Sequence, residues 1–310
     1  MGAGHRPVAA HPPRPPIPMR PLDAGAMAAA RARQEARSEP PGALGRLDEL
    51  AIWLAGVTGA EPPPLRARIV VAGADRSTEA RLAALGTDAG PPAPVREADI
   101  GELVLIDAAR LPPSRDPAVE PALSVGEVAA AVDLGRELAA HAAAEGVTVL
   151  AAAAVGPAAT TAPTCLAALL TGRDPAQLVG RGDERAVVER ALALHGADAR
   201  GPLGALRRVG DGAIAVLCGL ALGAGEHGLA FVCDGAGATA AAAVAVAVEP
   251  DLRPRLLAAD RSVAPAHAAL LEHLGLEPVV DLDDGPGAAA ALAVLRQAAA
   301  ANAPRPESGA

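Results

Sequence analysis

Apolar positions along this chain fall into two periods. At helical spacing, residues 46–57 ("RLDELAIWLAGV") align Leu47, Leu50, Ile52, Trp53 and Leu54 in one stripe. Residues 22–37 repeat that spacing, and "PPGALG" at 40–45 separates the two stretches. The second pattern is short and continuous. Residues 67–75 ("ARIVVAGAD"), 101–108 ("GELVLIDA"), 147–156 ("VTVLAAAAVG") and 229–235 ("LAFVCDG") are apolar runs closed by turn residues. Such runs suit strands buried on both faces. Residues 176–182 ("AQLVGRG") read as a further, shorter strand with a glycine turn. Helical patterns lie between them, at 124–146, 157–172, 183–196, 204–228, 236–248 and 258–275, and a last one over 289–303. Residues 204–228 predict a helix pair or one broken helix. In the first of these, Ser124 and Glu127 have capping-box spacing and Gly146 supplies the stop. Residues 59–68 read as a linker and 77–99 as loop.

Strand, crossover helix and strand recur. The predicted fold class is therefore α/β, a parallel sheet with helices on both faces, Rossmann-like. Ligands of such sheets bind outside the carboxyl ends of the strands. That singles out residues 73–75, 156–161, 180–182 and 234–239.

Composition changes the picture of the core. Apolar residues are 51% of 310, yet aromatics are 1%, with Trp53 and Phe231 alone and no tyrosine. The interior must be alanine, valine and leucine, packed closely because each alanine buries little area. Glycine (33) and proline (30) stay below the fraction that marks a disordered chain, although the proline-dense first 20 residues read as a disordered leader. That leader has no apolar core of a signal peptide. The longest apolar run, broken by Gly, Pro and Thr, is too weak for a membrane span.

Net charge is −9, from 36 acids against 27 bases, and every base is arginine. An acidic chain with almost no aromatics has neither the basic patch nor the stacking rings of a nucleic-acid binder. Cys165, Cys218 and Cys233 are odd in number, lack CxxC spacing and sit in apolar surroundings. They read as buried structural thiols in a reducing cytoplasm. The histidines have no metal-ligand spacing, so neither a metal site nor a cofactor is expected, and no G-x-S-x-G elbow is present.

Three turns carry candidate chemistry. Gly235, Gly237 and Ala240 fit the G-x-G-x-x-A spacing of dinucleotide turns, but no acid follows a clear second strand. Residues 179–182 ("VGRG") suit a phosphate-contacting turn or an ordinary one. Thr160 and Thr161 could meet phosphate at a helix start or simply cap it.

Individually weak, these features come in a specific order. "PPGALGRLDELAIWLAG", "GLAFVCDGAGATAAA", "LLAADRSVAPAHAALLEHLGLEPVVDL" and "DDGPGAAAALAVL" together resemble the nicotinate-nucleotide:dimethylbenzimidazole phosphoribosyltransferases, which build the lower-ligand nucleotide of cobalamin. The resemblance covers most of residues 22–300. It implies a parallel α/β domain over 65–278 and a small helical domain from both chain ends, residues 21–64 and 279–302, with 303–310 a disordered tail. It also implies a homodimer. The implied reaction moves phosphoribose from nicotinate mononucleotide to a benzimidazole, releasing nicotinate with inversion.

The implied general base is the glutamate of a G-E-G-T-G-A turn. Here that turn aligns with residues 283–288, and Asp284 stands in for the glutamate between Asp283 and Gly285, with Gly287 following. Its arm is one methylene shorter, and a misplacement of about 1 Å can cost on the order of 100-fold. In the loop aligned with the family's G-E/D-M-G-I-G-N-T-T, Gly156, Thr160 and Thr161 survive, while Ala154 and Ala159 replace the acid and the asparagine. The glycine–arginine–glycine turn persists as Gly180, Arg181 and Gly182, but the lysine expected after it is missing. Asp234 and Gly235 fall in the matching strand-end turn. Ser262 matches a phosphate-binding serine, with Asp260 and Ala264 in place of the flanking histidine and acid. A helical segment that helps form the base pocket is largely absent. These departures leave two readings open: a phosphoribosyltransferase of impaired activity, or an inactive homologue that binds a nucleotide or a cobalamin-pathway partner.

Overall fold

The computed structural model describes residues 18–36, 43–73, 102–106, 114–155, 160–180, 184–282 and 287–303. Two helices come first, α1 (Ala24–Glu35) and α2 (Arg46–Thr58). The strands are β1 (Ala67–Gly73), β2 (Glu102–Ile106), β3 (Val149–Val155), β4 (Ala230–Asp234) and β5 (Leu256–Ala258). They form one sheet in the order β2-β1-β3-β4-β5, with every neighbouring pair parallel. Helix α3 (Val125–Ala144) joins β2 to β3. Between β3 and β4 run α4 (Thr161–Thr171), the single turn α5 (Pro175–Leu178), α6 (Glu184–His195), α7 (Pro202–Val209) and α8 (Gly212–His227). Helix α9 (Gly235–Val248) precedes β5, and α10 (Pro265–Leu274) and α11 (Gly287–Ala301) follow it.

Alternate strand residues feed two cores, as the pleat requires. Val70, Ala72, Leu150, Ala152, Phe231 and Cys233 face a core shared with α3, α4 and α6–α10. Ile69, Val71, Val149, Ala151, Ala230 and Val232 face the other, covered by α2 and α11. The two chain ends thus meet as one helical layer. Arg255, buried just before β5, fastens it by donating to the carbonyls of Arg20, Pro21 and Val57.

Small residues set the packing distance. A Cβ on Gly219 of α8 would fall 2.0 Å from the Val132 carbonyl oxygen of α3, and one on Gly135 of α3 would fall 2.0 Å from that of Val216. The two helices therefore touch backbone to backbone, which only glycine permits. Phe231 is fully buried, whereas Trp53 lies at the rim and donates from Nε1 to the Pro254 carbonyl at 2.9 Å.

The four continuous apolar runs are strands, and Ser124 and Glu127 form the expected capping box. Arg115 adds a fork onto Glu127 and holds its carboxyl down to about 2. Two expectations are corrected. Residues 175–178 are a helical turn rather than a strand, because Pro175 starts it and Asp174 caps the Ala176 amide at 2.9 Å. A fifth strand, β5, ends at Ala258, the first residue of the stretch read as helix, which is helical only from Pro265. Residues 204–228 resolve into the pair α7 and α8, divided at Asp211, whose buried carboxylate caps the Ile214 amide. All three cysteines are free and buried, and burial pushes the Cys165 and Cys218 thiols up to about 12. Among the described residues no helix is long and apolar enough to cross a membrane. The expected leader, save residues 18–20, the loop at 77–99 and the tail from 304 lie outside the described residues.

Candidate functional site

Register brings the chemistry to one edge. Ala153 pairs with Asp234 and Cys233 with Ala258, so β3, β4 and β5 end side by side. Asp234 is the last residue of β4 and precedes the first residue of α9. Asp260 follows β5 by two residues.

Asp234 does not cap its own helix. Its Oδ2 instead accepts from the Ala288 amide of α11 at 2.8 Å. The carboxyl of Asp260 lies beside it against Gly287, close enough for its charge to bear on Asp234. Burial pushes Asp234 up to about 7, and the Asp260 charge adds to it. Burial raises Asp260 as well, opposed by the Gly235 amide that donates to it. Asp260 is buried, and its Oδ1 has no hydrogen bond of normal geometry among the described residues. Gly287 lies against both acids: a Cβ there would be 2.6 Å from Asp234 Oδ1 and 2.7 Å from Asp260 Cγ.

These contacts also explain the G-x-G-x-x-A stretch. Gly235 takes φ +73°, the left-handed region that glycine favours, and lets the chain turn from β4 into α9. Gly237 is required because a Cβ would meet the Ala154 Cβ at 2.6 Å. The Gly235 amide at the start of α9 lies near enough to Asp260 to offset part of the upward push of burial on that carboxyl.

A buried relay lies behind Asp260. The Ser262 amide donates to His267 Nδ1 at 3.1 Å, which makes that nitrogen an acceptor. His267 Nε2 then carries the proton and donates to Thr239 Oγ1 at 3.0 Å, and Thr239 donates to the Gly235 carbonyl at 2.8 Å. His267 is fully buried, and burial, aided by Arg261, pushes it down to about 4, so the ring is neutral. Ser262 Oγ lies 2.9 Å from the same Nδ1. The hydroxyl shares with the amide the single lone pair of Nδ1, and its own lone pairs stay free to accept from a ligand.

The second group of candidates sits on α4 and α6. Thr160 precedes α4 but makes no cap bond; its hydroxyl donates to Glu184 Oε1 on the first turn of α6. The capping expected of Thr160 is therefore not observed. Thr161 is half-buried on the first turn of α4, and Gly180 is exposed beyond α5. Gly156, Arg181, Gly182, Asp284 and Gly285 lie outside the described residues.

Sequence reading singled out Asp234, Gly235, Ser262 and Gly287, and the structure gathers these four. It passed over the pairing of Asp260 with Asp234, the Thr239–His267 relay and Glu184. The signal for Asp260 was its place in the altered "ADRS" stretch. Among the described residues no group of three or more His, Cys, Asp or Glu could hold a metal.

Comparison with known proteins covers nearly the whole chain. A family described as "Phosphoribosyltransferase" matches residues 19–84 and 77–304. A nicotinate-nucleotide–dimethylbenzimidazole phosphoribosyltransferase of Roseiflexus castenholzii is 35% identical, over 89% of this chain and 90% of its own length. The protein of that name from Thermus thermophilus is 36% identical, over 90% and 95%. A crystal structure of the enzyme from Thermus thermophilus matches with a TM-score of 0.80 at 34% identity, covering 90% of this chain and 95% of that one.

Proposed function

The chain belongs to the phosphoribosyltransferase family of the nicotinate-nucleotide–dimethylbenzimidazole type, and we propose from that premise that it transfers phosphoribose from nicotinate mononucleotide to dimethylbenzimidazole, at reduced rate. The product is the lower-ligand nucleotide of cobalamin. The observation that carries this reading is the bond from the Ala288 amide to Asp234. It fixes the start of α11 to the carboxyl ends of the strands, the ligand edge of such a sheet. Asp284 stands three residues before Gly287 in sequence.

In the proposed step, Asp284 takes the proton of the benzimidazole ring N–H. That ring's other nitrogen attacks C1′ of the ribose on the face opposite nicotinate. The C1′–N bond breaks, and its electron pair stays on the nicotinate ring nitrogen. Thr160, Thr161, Gly180, Asp234, Gly235, Ser262 and Gly287, with Gly156, Arg181, Gly182 and Gly285, line the substrates in this reading. The acceptors at Asp234, Asp260 and Ser262 suit ribose hydroxyls better than phosphate, because a phosphate oxygen needs donors. Rate is reduced because the Asp284 arm is one methylene short.

A second reading, an inactive homologue that retains nucleotide or partner binding, is favoured by one observation. Ala154, where the resemblance expects an acid, packs against Gly237 at the end of β3 and leaves no carboxylate there. Nicotinate release from nicotinate mononucleotide and dimethylbenzimidazole decides between them. Release by the wild type that is lost in Asp284→Ala supports the transferase. Nucleotide binding with no release, in wild type and variant alike, supports the inactive homologue.

A further inference from the structure

The chain of bonds through His267 begins and ends on backbone groups whose roles cannot reverse. At one end the Ser262 N–H donates to His267 Nδ1 at 3.1 Å, so that nitrogen carries a lone pair and no proton. At the other end Thr239 gives its hydroxyl proton to the Gly235 carbonyl at 2.8 Å, so its oxygen accepts from the ring. The ring proton therefore sits on Nε2, 3.0 Å from Thr239 Oγ1. Ser262 Oγ lies 2.9 Å from the bare Nδ1 and turns its own proton inward. What the hydroxyl offers a ligand is a pair of acceptor sites.

We propose that His267, held in one tautomer by the Ser262 amide and by Thr239, makes Ser262 a fixed hydrogen-bond acceptor for a ribose hydroxyl of the bound nucleotide. The choice of ribose rests on the proposed nucleotide site; the relay itself does not. His267 and Thr239 are fully buried, so both are positioning residues that act through Ser262.

The resemblance assigns this serine to phosphate, and the bonds in this chain disfavour that. A phosphate oxygen needs donors, whereas a ribose hydroxyl brings its own proton. The amide and hydroxyl protons of Ser262 are both spent on His267. The histidine that the resemblance expects two residues earlier is Asp260, an acid in place of a donor. The same geometry withholds nucleophilic chemistry from Ser262. The lone pair that would take its proton is shared with the amide, and Nε2 is backed by a hydroxyl rather than a carboxylate.

Nitrogen NMR of the ring at pH 7, on protein carrying isotope-labelled histidine, tests the relay. The His267 signals, assigned by their loss in His267→Gln, are expected to show a bare Nδ1 and a protonated Nε2. A protonated Nδ1 overturns the relay. Calorimetric titration with nicotinate mononucleotide tests the positioning. Ser262→Ala is expected to weaken binding on the order of tenfold, and Thr239→Val by about threefold to fivefold, with Thr239→Ser restoring it. In the Ser262→Ala background Thr239→Val is expected to cost less than about twofold. An equal cost with and without the serine hydroxyl overturns the positioning role. The Ser262→Ala cost is expected to persist with nicotinate riboside, which lacks the phosphate, and to disappear with either the 2′-deoxy or the 3′-deoxy mononucleotide. Disappearance with the riboside and persistence with both deoxy ligands assigns Ser262 to phosphate and overturns the ribose contact, as does a Ser262→Ala variant that binds as tightly as wild type. A wild type that binds none of these ligands overturns the ribose contact together with the proposed function, and the ring signals still decide the relay.

Discussion

Asp284 carries its carboxylate one methylene short of the glutamate in the family's turn. Geometry at the reacting proton is worth more than the identity of the acid, since both residue types have similar basicity. Asp284→Glu is accordingly expected to raise kcat by between about tenfold and 100-fold, with a smaller change in KM. Steady-state nicotinate release measures it, and a glutamate variant no faster than wild type would remove arm length as the cause of slow transfer. Ser262 poses a different residue-scale question. Its hydroxyl and amide both serve His267 Nδ1, at 2.9 and 3.1 Å. Ser262→Ala leaves the amide bond in place and removes the hydroxyl, with its contact to His267 and the acceptor it offers to substrate. It is therefore expected to raise KM for nicotinate mononucleotide by about tenfold while thermal stability changes little, a loss on the scale of one hydrogen bond.

At the scale of elements, the α3–α8 contact is the fold's least forgiving joint. Gly219→Ala directs a methyl to within 2.0 Å of the Val132 carbonyl, and the two helices must part to admit it. Overpacking of this kind costs about 1–3 kcal/mol. A urea titration is expected to show a lowered midpoint at unchanged slope, larger than for Ser124→Ala, which loses one half of a capping box. That joint also shows what the sequence does and does not disclose. The strands 67–73 and 149–155 are legible because a run of apolar residues closed by glycine has few alternatives. The capping box is legible because both partners lie three residues apart. β5 is not, since three residues cannot display a period, and residues 175–178 mislead because the proline that starts a helical turn precedes an apolar pair. The site divides the same way. Asp234, Gly235 and Ser262 stand in local turn motifs, whereas the Asp234–Asp260 contact and the Ala288 amide meet only through the parallel register of β4 and β5.

For the whole molecule, buried ionisable groups predict an unusual pH profile. Asp234 is raised from 3.8 to about 7 and Asp211 from 3.8 to about 6, both by burial. Each binds a proton in the native state that the unfolded chain releases above 3.8, so each contribution is full below that pH. It fades as pH rises, and is lost above about 6 for Asp211 and about 7 for Asp234. His267 acts oppositely: lowered from 6.5 to about 4, it contributes stability above 6.5 that is lost as pH falls through 4. Glu127, lowered from 4.5 to about 2 chiefly by Arg115, adds a contribution present above 4.5 and lost towards 2. Between 4.5 and 6 the two aspartates outweigh the one histidine, and near 7 Asp234 acts alone. The net charge of −9 at pH 7 pushes the same way, because self-repulsion grows as pH moves above the isoelectric point of 5.3. Scanning calorimetry is therefore expected to give the highest Tm near pH 5 and a lower one at pH 8, with the fall slowest just above pH 6 where Asp234 and His267 offset each other. Asp211→Asn should flatten the decline below pH 6, and Asp234→Asn the part near 7. A wild-type Tm that climbs from pH 5 to 8 would mean that these carboxyl groups are solvated in the native protein.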